Sequence, residues 1–127
     1  MEGLFNDTNY LAARKMLDYT SLRHEALASN MANIEVAGYK RVDVASVDFQ
    51  KQLSEAMQTG SVQSFDKVQP KLVVDRTASA STRTDGNNVE MDRELMQINS
   101  NELEYEYLTK YISHNYQLMR TAISTQI

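Results

Sequence analysis

The sequence predicts a mainly α-helical protein in which long N- and C-terminal helices pack as a coiled-coil hairpin, joined by a short irregular, β-containing middle segment. Apolar residues recur at alternating spacings of three and four along both ends of the chain, and neither end contains proline. This period is lost in the middle. The expected boundaries are 1–35, 36–88 and 89–127, and the three segments are expected to form one structural unit.

The predicted N-terminal helix begins after Asp7, a residue type that caps helices. Apolar and small residues follow at heptad-like spacings as far as Ile34, and Gly38 then supplies the backbone freedom that a tight turn requires. A helix from Tyr10 to Ile34 would be roughly 40 Å long. The residues predicted to form its packing seam are Leu17, His24, Leu27, Met31 and Ile34.

The middle segment gives weaker and mixed signals. Three valines between positions 42 and 47 are β-formers, residues 71–75 are a candidate strand, and residues 49–57 are predicted to form a short helix. Gly60 and Pro70 interrupt these elements, and the low-hydrophobicity tract 77–82 is expected to be mobile. Much of the middle is therefore predicted to be solvated.

The predicted C-terminal helix follows a turn signal, Asp-Gly-Asn-Asn, at 85–88. Asp92 and Glu94 lie near its start, and Lys110 and Arg120 lie later, which is the orientation that the helix dipole favours. The residues predicted to form its packing seam are Leu95, Ile98, Tyr105, Ile112, Tyr116, Met119 and Ile123.

The apolar stripes are wider than a two-helix hairpin can bury, because Leu22, Leu103 and Leu118 lie beside the seams. Each fully buried leucine stabilises a fold by ~1.5–3 kcal/mol, so covering these flanks with neighbouring helices would strongly favour association. The sequence therefore predicts polymer or complex formation. The polar seam residues His24 and Glu102 are expected to help fix the register of the packing.

No group of residues predicts catalysis, a cofactor or a metal. The 127-residue chain has no cysteine, which excludes a thiolate nucleophile and a sulfur-ligated zinc site. His24 and His114 lie far apart, and a packing role for the first and a solvated position for the second are favoured over metal binding.

The charge and hydropathy patterns also exclude some partners. The net charge is −4, and no basic run alternates with aromatic residues, which argues against a nucleic-acid surface. The C-terminal tyrosines are therefore expected to pack against helices and not to stack on bases. No secretory signal peptide can be recognised, and no run of about 18 apolar residues predicts a membrane span.

Two motifs resemble the signatures of a known family. The segment 29–34, Ser-Asn-Met-Ala-Asn-Ile, followed by Gly-Tyr-Lys at 38–40, is similar to the N-terminal signature of bacterial flagellar rod, hook and hook-associated proteins. Val36-Ala37 departs from it, because threonine and proline are usual there. The segment 85–95 and the end of the chain are similar to the most proximal basal-body rod type. The signature residues are Asn30, Ala32, Asn33, Gly38 and Tyr39.

The resemblance implies a non-enzymatic structural subunit of the flagellar basal-body rod that needs no cofactor and polymerises through its terminal helices. It implies export by the flagellar type III apparatus without a cleaved signal peptide, and a place in the rod that crosses the periplasm. The implied partners are other copies of the chain, other rod proteins, the proteins at the junction of rod base and export gate, and the export apparatus.

Phe49 and Leu53 match the family's export-gate recognition pattern, a phenylalanine followed four residues later by an apolar residue. The pattern is weak by itself, because one turn of helix with both side chains on the same face has the same spacing. A soluble helical adaptor or export chaperone is the alternative class of function. Such a protein would remain a small cytoplasmic oligomer and would have no reason to contain the 30–39 junction.

Overall fold

A computed structural model describes residues 7–75 and 83–125 of the chain. It contains, in chain order, helix α1 (Thr8–Ala32), strand β1 (Val42–Val44), helix α2 (Ser46–Thr59), helix α3 (Val62–Asp66), strand β2 (Leu72–Val74) and helix α4 (Met91–Ser124). The predicted fold class is confirmed: two long terminal helices flank a short middle segment with a small sheet. The tract 77–82, which was expected to be mobile, lies outside the described residues.

The ends of α1 follow the sequence signals. The side chain of Asp7 accepts a hydrogen bond from the backbone N–H of Asn9 at 3.1 Å, which satisfies one of the free donors in the first turn. The helix ends at Ala32, with Asn33 as its C-cap, so the chain turns slightly before position 35. Gly38 lies in this turn with φ +74°, a left-handed conformation in which an L side chain is strained.

Helix α4 is the longest element, with 34 residues and a length of roughly 50 Å. It packs antiparallel to α1, since Asn101 contacts Thr20 near the middle of both helices while Glu94 contacts Asn30 at the end of α1. Three of the buried residues on each helix of this hairpin recur every seven positions. They are Ala13, Thr20 and Leu27 on α1, and Glu94, Asn101 and Leu108 on α4.

The middle segment is more ordered than the sequence suggested. Strands β1 and β2 pair antiparallel, with Val42 opposite Val74 and Val44 opposite Leu72, and β2 lies within the predicted range 71–75. The predicted helix at 49–57 is confirmed and is longer, because α2 spans Ser46–Thr59 and includes one of the three β-forming valines. Helix α3 was not predicted.

Most residues of α2 and α3 are exposed, as the sequence predicted, but the two helices also contribute buried side chains that were not predicted. The side chains of Phe49 and Ala56 from α2 and of Phe65 from α3 are buried with Leu11 of α1 in a compact apolar cluster. The ring of Tyr19 packs on Phe49, with 4.7 Å between the ring centroids. Apolar residues are sparse in this segment, but they fall on one face of a short helix, so a few large side chains are enough to build a core.

Candidate assembly site

Asn30, the first signature asparagine, joins the end of α1 to β1. Its side chain is fully buried, and its amide binds both backbone groups of Val42: Oδ1 accepts from N at 2.9 Å, and Nδ2 donates to O at 2.8 Å. Nδ2 also donates to Glu94 Oε2 at 3.3 Å, and the hydroxyl of Tyr39 donates to Oδ1 at 3.1 Å. An asparagine can make this set of contacts because one side chain provides both donors and an acceptor.

Asn87 closes the C-terminal end of α1. Its Nδ2 donates to the backbone carbonyl oxygens of Asn33, Ile34 and Val36 at 2.9, 3.0 and 2.8 Å. Nη1 of Arg83 also donates to the carbonyl of Ile34, at 2.6 Å. The last carbonyls of a helix have no partner within the helix. Asn87, which is itself buried, supplies an amide donor to the carbonyls of the turn that follows α1.

The two glycine turns lie against each other. The backbone N–H of Gly38 donates to the carbonyl of Asp85 at 2.8 Å, and Nζ of Lys40 donates to the carbonyl of Gly86. Gly86 has φ +81°, and a Cβ at this position would lie 3.7 Å from the Cα of Gly38. The N-terminal signature and the turn before α4 therefore form one interlocked junction. The sequence predicts both turns, but not that they lie against each other.

A buried ion cluster lies directly beside this junction. Arg41 is 1% exposed and donates through Nε to Oε1 of Glu94, which is also buried. Its other nitrogens donate to Asp75 Oδ2 at 2.5 Å, to Gln97 Oε1 at 2.6 Å and to Asp43 Oδ2 at 3.2 Å. We call these five residues the Arg41 cluster. It ties β1, the end of β2 and the first turns of α4 together.

The contacts of the cluster hold Arg41 in its charged form. Burial acts to lower the pKa of its guanidinium, but the hydrogen bonds to Glu94 and Asp75 and the charges of Glu94 and Asp43 outweigh that effect, so the pKa lies above its ordinary value. The charged guanidinium and the carboxylates around it therefore form an electrostatic anchor at the base of α4. None of its members was predicted as a site residue.

The predicted seam of α1 coincides partly with the intramolecular packing. Leu27 is fully buried, Leu17, Met31 and Ile34 are half-buried, and His24 is exposed. His24 lies at the rim of a groove between the two helices. The buried positions of α1 therefore include part of the predicted set, while its polar member faces outward.

The predicted seam of α4 lies to one side of the packing that the structure shows. Met119 is buried, and Ile98 and Ile112 are half-buried. The buried heptad is 94, 101 and 108, and its two polar members, Glu94 and Asn101, each precede a predicted seam residue, Leu95 and Glu102, by one position. The exposed members of the predicted seam are Leu95, Tyr105, Tyr116 and Ile123, and their role in assembly stays a prediction.

Helix α4 also carries a second apolar stripe that faces away from α1. Met96, Leu103 and Tyr107 are 68%, 69% and 70% exposed, and Leu118 is also exposed. At about 100° per residue these four side chains share one side of the helix, roughly opposite Glu94, Asn101 and Leu108. We call this stripe the outer face of α4. An exposed apolar stripe of this kind on a soluble surface typically marks a contact with another protein.

The remaining predicted site residues have different environments. Ala32 is the exposed last residue of α1, and Asn33 donates from its side chain to the carbonyl of Ser29 at 2.7 Å. Phe49 is buried and Leu53 is half-buried against the apolar cluster, so the proposed export-gate pair is not presented at the surface of the folded chain.

Comparison with known proteins identifies the family. No protein-family model matches the chain. The flagellar basal body rod protein FlgB of Aquifex aeolicus is 33% identical, with 77% of this chain and 78% of the relative aligned. The FlgB protein of Escherichia coli is 31% identical, over 73% of this chain and 76% of the relative. The chain belongs to the FlgB family of flagellar basal body rod proteins. The more distant FlgB of Borrelia hermsii is 26% identical, over 87% of this chain and 92% of its own.

The described residues also bear on other kinds of site. Within 7–75 and 83–125, no group of three or more His, Cys, Asp or Glu side chains is placed to hold a metal ion. In the same parts of the chain, none of the helices combines the length and the apolar character that crossing a membrane requires.

Proposed function

We propose that this chain is a structural subunit of the proximal flagellar rod, and that it polymerises through α1 and α4 with other copies of itself and with other rod proteins. Family membership supports the rod assignment. The observation that carries the polymerisation step is the outer face of α4, where three large apolar side chains are each more than two-thirds exposed. Burying them against neighbouring subunits would provide a strong drive to assemble.

In this proposal the junction fixes the orientation of the outer face of α4 relative to the rest of the subunit. Asn30, Asn87 and the Arg41 cluster hold the end of α1, the sheet and the start of α4 together through buried polar contacts. Buried polar contacts of this kind fix geometry, because each donor needs its own acceptor. In this proposal the junction orients the two helices, and the helices make the contacts between subunits.

Export by the flagellar type III apparatus, without a cleaved signal peptide, is the route that we propose to the periplasm and the rod base. There the subunit would meet the proteins that join the rod to the export gate. The export gate would recognise Phe49 and Leu53 in an unfolded chain, because in the folded chain Phe49 is part of the apolar cluster and Leu53 packs against it. Export and folding would then be sequential steps: the chain folds after it has passed the gate.

Replacing Leu103 with aspartate tests the assembly proposal. The side chain is exposed in the single subunit, so Leu103→Asp should leave the free energy of unfolding nearly unchanged while placing a charge in the subunit contact. We expect cells carrying this variant to lose swimming motility and to lack the chain in purified basal bodies. Gln50→Asp, on the exposed side of α2, is the matched control and should assemble normally. Normal rods from Leu103→Asp would contradict the proposal.

A further inference from the structure

A groove runs between α1 and α4 on the side of α4 that lies opposite its outer face. It has a volume of about 320 Å³ and is lined by Ser21, His24, Glu25, Asn101, Glu102 and Tyr105. The lining combines the ring of a tyrosine with two exposed carboxylates, one from each helix. A side chain entering this groove would therefore meet negative charge at its rim and an amide within it.

Asn101 is the polar group within this groove, and its hydrogen bonding is incomplete. It is 1% exposed, and its Nδ2 donates to the backbone carbonyl of Thr20 at 2.9 Å. Its Oδ1 is buried and has no hydrogen-bond partner among the described residues. Buried polar atoms are rarely left in this state, so an acceptor next to a groove indicates that a donor is supplied from outside the chain.

The charge of the groove selects the kind of donor. Glu25 and Glu102 flank the amide, so an aliphatic chain that ends in a cation fits better than a neutral or acidic one. An ammonium group has three donors and no acceptor, and it could bind the amide oxygen and both carboxylates together. The groove therefore matches a lysine side chain from a neighbouring protein.

The outer face of α4 carries such a lysine. Lys110 lies on the same side of the helix as Leu103 and Tyr107, and its side chain is 75% exposed. Its contact within the chain is an ion pair with the exposed Glu106 at 2.9 Å. Exposed pairs of this type contribute little to stability, so Lys110 can leave Glu106 at small cost. Leu103 and Tyr107 would cover the mouth of the groove once Lys110 has entered.

We propose that the outer face of α4 in one copy docks over the α1–α4 groove of a second copy, with Lys110 between Glu25 and Glu102. Asn101 Oδ1 is enclosed in the free subunit, so in this proposal the lining side chains shift on docking and let the ammonium donate to it. This inference rests on the proposed rod function. The two surfaces are different patches on opposite sides of one helix, so the contact is heterologous. A heterologous contact repeats from copy to copy and builds an open helical polymer when its rotation does not close into a ring, and an open polymer is what a rod requires.

Charge exchange tests this contact. The assay is the amount of the chain in purified basal bodies relative to the whole cell, measured by immunoblot. Lys110→Glu should lower that ratio at least about tenfold, the scale on which charge pairs in protein interfaces are coupled. The double variant Glu25→Lys with Glu102→Lys should lower it similarly. Combining all three substitutions restores the opposite charges but not the donor to Asn101 Oδ1, so the ratio should recover in part, to at least about threefold above that of Lys110→Glu alone.

The matched control is Arg120→Glu, which reverses an exposed cation elsewhere on α4 and should assemble like wild type. The contact is refuted if Lys110→Glu assembles normally, if Arg120→Glu is equally defective, or if the triple variant folds but shows no recovery. The last result would show that Lys110 meets a different protein. If the wild-type chain itself is absent from basal bodies, the proposed rod function is refuted as well as this contact.

Discussion

Replacing Arg41 with methionine should destabilise the chain more than any exposed charge change. The substitution keeps most of the side-chain volume but leaves Glu94 fully buried without its cation, and it removes the donor that Asp43 and Gln97 share. Breaking a buried ion pair by removing one partner costs roughly 3–5 kcal/mol. A urea m-value of about 2 kcal/mol/M converts a loss of about 4 kcal/mol into a midpoint about 2 M lower.

The assay is equilibrium urea unfolding of the purified full-length chain, followed by circular dichroism. Arg23→Met is the matched control, because Arg23 pairs with Asp43 at 3.2 Å from a partly exposed position and should cost no more than about 1 kcal/mol. Glu94→Gln should fall between the two, since the amide retains hydrogen-bonding atoms but loses the charge. If Arg41→Met and Arg23→Met have the same midpoint, the Arg41 cluster is not an anchor and the reasoning about the junction is wrong.

Three further outcomes follow from other parts of the structure. Asn87→Ala should cost about 1–3 kcal/mol in urea unfolding, because three carbonyls after α1 each lose one of their donors and the buried N–H of Val89 loses the Asn87 oxygen as its acceptor; an unchanged midpoint would contradict the capping role. A chain with both Phe49→Ala and Leu53→Ala should stay inside the cell, because the gate no longer recognises it. Phe65→Ala damages the same core and should still be secreted. Equal secretion of the two variants would contradict recognition of Phe49 and Leu53 by the gate. Burial raises the pKa of Tyr19, because the folded state favours the neutral phenol. The stabilisation from the neutral side chain is therefore present below pH 10 and is lost as the pH rises through the folded pKa. Tyr19→Phe should therefore show a smaller loss of unfolding free energy above pH 10 than wild type, and identical alkaline curves would refute this.

The long helices and both glycine turns could be predicted from the sequence because their signals are local. Asp7 caps α1 with its own side chain, and Gly38 and Gly86 have the positive φ angles that their turns require. Capping, periodicity and turn chemistry all act within a few residues of the chain. The resemblance to flagellar rod proteins also rested on these local motifs, and the relatives confirm it.

The Arg41 cluster could not be predicted in this way, because its partners are far apart in the sequence. Arg41 contacts Glu94 and Asp75 only in the tertiary structure, where the sheet and the junction bring these residues together. A weak signal does exist: Glu94, Asn101 and Leu108 recur every seven residues. Polar residues in a helix are normally assigned to its exposed side, so the sequence predicts a seam through Leu95 and not through the neighbouring Glu94.

The core of the middle segment was missed for a related reason. Phe49, Ala56 and Phe65 are separated by polar residues, and mean hydropathy over the segment is low. Their burial depends on α2 and α3 folding back onto Leu11 and Tyr19 of α1, a contact between distant parts of the chain. Only the tertiary structure shows that these few side chains are enough for a core.

Electron cryomicroscopy of basal bodies from cells that lack this chain tests the central claim most directly. The account predicts basal bodies without a proximal rod, and a rod that returns when the wild-type chain is supplied but not when Leu103→Asp is supplied. Complete rods in the absence of the chain would contradict its proposed role as a structural subunit of the proximal rod.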